Sequence, residues 1–132
     1  MSISAIFDAV RRVATVEFTD IIVDTELELL PTGDPRRLRI WLVDSSFIDV
    51  FISLSGRYSY HWQRTAYAGN AIYRHDNAPH ARWSHVTTFP KHFHYGTEEN
   101  VLPSELSDEP MTAIREFCTF ARSMLQNDIE PQ

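Results

Sequence analysis

Apolar positions along this chain repeat first at helical spacing and then at every second residue. Ile3, Ile6, Phe7, Val10 and Val13 recur at intervals of three and four, with Asp8, Arg11 and Arg12 on the opposite side. That periodicity predicts an amphipathic first helix, with Ser2 or Ser4 able to cap its start. From Val23 to Leu29 the period becomes two, Val23, Thr25, Leu27 and Leu29 alternating with Asp24, Glu26 and Glu28. This predicts a strand with one wet face. Pro31-Thr32-Gly33-Asp34-Pro35 reads as a turn, because proline removes backbone donors and glycine tolerates positive φ.

The alternation then continues through four more segments. Leu38, Ile40 and Leu42 alternate with Arg37, Arg39 and Trp41, and after Asp44-Ser45-Ser46 a further strand runs from Phe47 to Leu54. Beyond Gly56, Tyr58, Tyr60 and Trp62 alternate with Ser59, His61 and Gln63. Gly69-Asn70 turns the chain into Ala71, Tyr73 and His75 against Ile72, Arg74 and Asp76. Such short connections predict an antiparallel meander, since parallel neighbours need a crossover of about a dozen residues or more. A long loop follows from Asn77 to about Phe93. A final helix starts near Asp108, with Pro110 in its first turn and an apolar stripe of Met111, Ile114, Phe117, Ala121 and Met124. The expected fold is α+β: an antiparallel meander sheet of about five to six strands, with an N-terminal and a C-terminal helix packed on one face. A single domain is expected over 1–127, with a frayed tail over 128–132.

Length and composition narrow the class without changing that picture. At 132 residues the chain fits one domain. Cys118 is the sole cysteine, so neither an internal disulfide nor a cysteine-built zinc site is available. No apolar run approaches a membrane span, and the first eighteen residues lack a secretory core, so a cytoplasmic protein without membrane attachment is expected. The formal net charge is −6, unlike a protein that coats nucleic acid non-specifically.

The charge is unevenly placed. From Val50 to Thr97 five basic residues face a single acid, Asp76. Before Val50 there are nine acids against five bases, and after Thr97 eight against two. Contact with a polyanion should therefore be confined to the central stretch, while the acidic flanks suit a basic protein partner or simply solvation. All six histidines fall in that same stretch, at positions 61, 75, 80, 85, 92 and 94. Imidazole is the side chain that exchanges protons near neutral pH, so proton-transfer groups and anion-binding groups are gathered together. Arg74 and Asp76 share a strand face, and His92 and His94 share one side of any extended segment. His75 and His85 fit no pattern.

The blocks Tyr58-x-Tyr60-x-Trp62, Arg74-x-Asp76-Asn77-Ala78-Pro79-His80 and Phe89-Pro90-x-His92-x-His94 resemble the TumE-like toxins of prokaryotic toxin–antitoxin systems, over roughly Ile40 to Gly96. In that family a second histidine commonly follows the first, whereas this chain has Ala81. The resemblance implies a toxin acting on RNA and neutralised by a cognate antitoxin protein.

Three readings of the block are open. In metal-independent RNA cleavage, a 2′-hydroxyl attacks the neighbouring phosphate, with His80 and His92 as base and acid in some order. Arg74 and Lys91 would stabilise the developing charge, and Asp76 would orient a histidine; His94 completes this catalytic set. His61, Asn77 and Arg82 are the expected substrate contacts, and no cofactor is required. The second reading is a metal-dependent nuclease with Asp76, His80, His92 and His94 as ligands. The third is a histidine-rich loop without chemistry, either one that only packs and hydrogen-bonds or, as a non-catalytic binding module, one whose cationic loop grips an anionic partner. A homodimer is compatible with all three.

Overall fold

The computed structural model describes residues 1–65 and 68–129. Helix α1 (Ile3–Glu17) is followed by seven strands: β1 (Ile22–Leu29), β2 (Pro35–Leu42), β3 (Phe47–Ile52), β4 (Tyr58–Gln63), β5 (Ile72–Asp76), β6 (His92–Gly96) and β7 (Val101–Pro103). Helix α2 (Pro110–Ile129) closes the chain. The strands lie side by side in sequence order, every neighbouring pair antiparallel. The α+β meander is borne out, with seven strands rather than five or six. The additional pair, β6 and β7, forms a hairpin beyond the long loop, where short and interrupted apolar alternation carried little strand signal.

Both helices cover one face of the sheet. Leu38, Ile40, Ile48, Val50, Tyr60 and Trp62 meet Phe7 and Val10 of α1 and Ile114, Phe117 and Ala121 of α2 in one core. Ser2 caps α1 by accepting from the Ala5 amide at 3.1 Å. The helices are tied together where Arg115 grips Glu17 at 2.7 and 2.8 Å and Arg122 grips Asp20 at 2.8 and 2.6 Å. Cys118 faces this core, and burial pushes its thiol pKa up to about 12, which makes it inert packing. Met111 and Met124 lie half-buried at the rim of the stripe. Helix α2 takes in Asp128, where the tail was expected to begin, and Asp128 pairs with buried Arg64; residues 130–132 lie outside the described set.

Strand β1 departs from its strict alternation. Its pairing with β2 slips between Ile22 and Asp24 and again between Glu28 and Leu29. Val23 and Leu29 are therefore exposed, and only Thr25 and Leu27 of that row are half-buried. Among the described residues no helix is long and apolar enough to cross a membrane. Among the described residues the Phe89–Pro90 peptide bond is cis.

Trp62 anchors the middle of the core. It is fully buried, donates from its indole nitrogen to Ser46 Oγ at 2.9 Å, and packs against the rings of Tyr73 and Phe120. Trp62→Ala removes that volume and orphans the Ser46 contact; a loss of about 3–5 kcal/mol in urea-unfolding free energy is expected.

His75 points to the same covered face, stacked on Phe93 at 3.9 Å and bonded through Nδ1 to Ser104 Oγ at 2.7 Å. Burial lowers its pKa to about 4, against about 6.5 in an unfolded chain. Between those values the unfolded chain takes up a proton that the folded one refuses. Stability is therefore full above about pH 6.5 and falls as pH drops toward 4, by on the order of 3 kcal/mol from this residue. Unfolding free energies measured across that window should fall less steeply in His75→Phe than in the parent.

Candidate functional site

The face turned away from the helices is built by the other parity of the same strands. Cross-strand register sets Glu26, Arg39, Asp49, His61, Arg74 and His94 as successive neighbours from β1 to β6. Charges of opposite sign directly opposite one another stabilise adjacent strands, and Arg39 grips Asp49 at 2.8 and 2.9 Å. The next row sets Ser59, Asp76 and His92 in line. Pairing of β6 with β5 therefore brings His92 and His94 opposite Asp76 and Arg74, although sixteen positions separate Asp76 from His92 in the chain.

Asp76 is the centre of this arrangement and only 9% exposed. Its carboxylate accepts from Arg74 Nε at 3.1 Å and from the Ala78 amide at 3.0 Å. His92 Nε2 lies 3.3 Å from one carboxylate oxygen and His94 Nε2 lies 3.8 Å from the other. Each ring is turned by its opposite nitrogen. His92 Nδ1 donates to the Pro90 carbonyl at 2.8 Å, and His94 Nδ1 donates to the Glu98 carbonyl at 2.7 Å. A carbonyl only accepts, so Nδ1 of each ring carries a proton, and each Nε2 is turned toward Asp76. Burial lowers the pKa of His94, which favours the neutral form, and it does the same for His61.

Arg74 is held on three sides. Besides Asp76 it engages Glu98 through two bonds of 2.8 and 2.5 Å and lies 3.3 Å from His61 Nδ1. The guanidinium bond holds the Glu98 carboxyl below its ordinary pKa. Trp83, in a short 3₁₀ turn over Ala81–Trp83, packs against both site imidazoles, its ring 6.3 Å from that of His92 and 5.7 Å from that of His94. The result is a pocket of about 350 Å³ lined by Arg74, Asp76, His80, Arg82, Trp83, His94 and Glu98.

The expected site residues sort into distinct places. Arg74, Asp76 and His94 lie in the floor of the pocket, and His80 and Arg82 are exposed on its rim. Arg82 stacks on Trp83 at 4.6 Å and has no acidic partner among the described residues. His92 belongs to the cluster but is sealed beneath it, with no exposed surface. Lys91 points elsewhere, donating to the Leu106 carbonyl at 2.5 Å and lying 3.3 Å from Asp108. Asn77 spends its amide on backbone, accepting from Tyr58 N at 3.0 Å and donating to the Gly56 carbonyl at 2.7 Å. His61 contacts Arg74 without lining the pocket.

Two contributors had no clear signal. Glu98 stands one residue beyond the acid-poor stretch, and only the unrecognised β6–β7 hairpin folds it back onto Arg74. Trp83 stands in a loop whose path over the sheet is a tertiary matter.

Among known protein families, a model described as "Toxin TumE" matches residues 9–125. No curated protein and no solved structure matches the chain.

Asp76→Ala would leave the Arg74 Nε and the Ala78 amide without their acceptor. The expected cost is about 2–4 kcal/mol of unfolding free energy, measured by urea titration at neutral pH.

Proposed function

The chain belongs to the TumE toxin family, and from that premise we propose that it is the toxin of a toxin–antitoxin pair that cleaves RNA at the pocket on the open face of the sheet. The observation that supports this most is the company His80 and Arg82 keep. A solvent-exposed imidazole and a cation without an acidic partner among the described residues share the rim above a second imidazole, His94, in the pocket floor.

Cleavage by a neighbouring 2′-hydroxyl needs a base, an acid for the leaving oxygen and positive charge at the phosphate. His80 is the exposed proton carrier and His94 the second, in the place first given to His92. His92 has no exposed surface, and its ring packs edge-on against that of His94, holding the latter in place. Arg82 takes the role first given to Lys91, contacting the phosphate from the rim. Arg74, already neutralised by Asp76 and Glu98, sets the positions of both rather than offering a free charge. Trp83, half-buried in the pocket lining, offers an aromatic surface to a base. The antitoxin is a protein partner, and the acidic outer surfaces suit a basic segment of it.

The alternative from another class, a binding module, differs in a single observable: RNA is retained and never cut. His80→Ala should reduce RNA cleavage by the purified chain by roughly 10²–10⁴-fold and relieve growth arrest on expression, with circular dichroism unchanged. Arg82→Ala should weaken RNA binding and flatten its dependence on salt. Undiminished cleavage by His80→Ala would remove the assignment. Binding without cleavage by the parent chain would favour the module.

A further inference from the structure

We propose that Asp76, His92 and His94 form a binding site for one divalent transition cation of the zinc type. The site shares Asp76 and His94 with the cleavage pocket; with an ion bound, His94 is a ligand and His80 alone remains to carry a proton. His92 Nε2 is a buried nitrogen with no hydrogen-bond partner among the described residues. It is aimed at a carboxylate oxygen 3.3 Å away, and His94 Nε2 is aimed at the other oxygen at 3.8 Å. With Nδ1 donating to Pro90, His92 Nε2 can face a carboxylate in a dry interior only with a proton or a metal ion between them, and 3.3 Å is longer than the roughly 2.7–2.9 Å of a charge-assisted hydrogen bond. Donors 2.0–2.1 Å from a tetrahedral zinc stand about 3.3 Å apart, so the His92–Asp76 separation already matches. Donor atoms of all three residues lie within 4.8 Å of one another.

The surroundings are those of a ligand set. Both imidazoles give their remaining N–H to backbone carbonyls, Pro90 and Glu98, which orients the rings and raises their basicity as donors. Arg74 and the Ala78 amide fix the carboxylate in turn. Asp76 and Glu98 against Arg74 leave the cluster with an excess of one negative charge, which a divalent ion reverses. Because Asp76 and His94 line the pocket, the open coordination position faces it. The ligand set is these three residues; His80, included in the set expected from sequence, stands apart on the exposed rim. An ion there would act as a Lewis acid on a phosphate oxygen, a role that rests on the RNA-cleaving reading, whereas the binding itself does not.

The test uses the full chain, stripped with chelator, dialysed and titrated with zinc chloride near neutral pH by calorimetry. A parallel titration with cobalt(II) is followed by visible absorption. One zinc per chain is expected, together with cobalt bands of a four- or five-coordinate N/O site. Asp76→Asn and His94→Gln should each weaken binding by about tenfold or more, while His80→Ala and His85→Ala should keep it. The cobalt spectrum keeps the test decisive if either ligand variant fails to fold. Absence of binding to the parent chain, or wild-type affinity in both folded ligand variants, would overturn the site. Chelator-resistant RNA cleavage without zinc binding would overturn this inference and leave the function standing. Zinc binding without cleavage would do the reverse.

Discussion

A carboxylate removed from water organises the open face of this protein. Burying an ionised Asp76 is costly unless donors replace its hydration. Arg74 and the Ala78 amide supply two of them. Arg74 then brings its own demand, met by Glu98, and Glu98 belongs to the β6–β7 turn whose carbonyl also sets the tautomer of His94. The requirement passes from one group to the next. Strand pairing, loop path and proton placement around the pocket are all parts of one solution to the same desolvation.

The two faces of the sheet divide the work. The covered face carries aromatic and branched residues that pack against α1 and α2, and its one imidazole, His75, is held neutral by burial. The other face bears no helix, so its charged rows must satisfy one another across strands. That arrangement leaves the middle of β4–β6 accessible to the segment from Asn77 to Lys91, which folds over it and supplies His80, Arg82 and Trp83. A pocket assembled in this way has a rigid floor, set by strand register, beneath a rim drawn from a loop.

Charge density along the chain and charge in space are different quantities here. The central stretch is cationic when counted by position, with Asp49 and Glu98 standing just outside it. Folding places both back upon it, Asp49 beside His61 across the β3–β4 ladder and Glu98 against Arg74. Arg64 is drawn to Asp44 and Asp128, and Lys91 to Asp108. Of the cations in that stretch, Arg82 is the one left at the pocket without an acidic partner among the described residues. The cationic signal in the sequence was therefore sound in direction and far too large in extent.

Periodicity sufficed for the helices, for the first five strands and for the antiparallel order, because apolar spacing and turn residues act over a few positions. The parity of Arg74 with Asp76 and of His92 with His94 was also legible, since a strand alternates faces by its geometry alone. Which histidines meet was not. His92 follows Asp76 by sixteen positions, and their opposition depends on the register of β6 against β5 across a long loop, which no local pattern announced. Equally beyond reach were the sealing of His92, the diversion of Lys91 and Asn77, and the arrival of Glu98 and Trp83. The chain's own order decides which side of a strand a residue occupies; only long-range pairing and burial decide what it faces there, because those energies come from groups far apart in sequence.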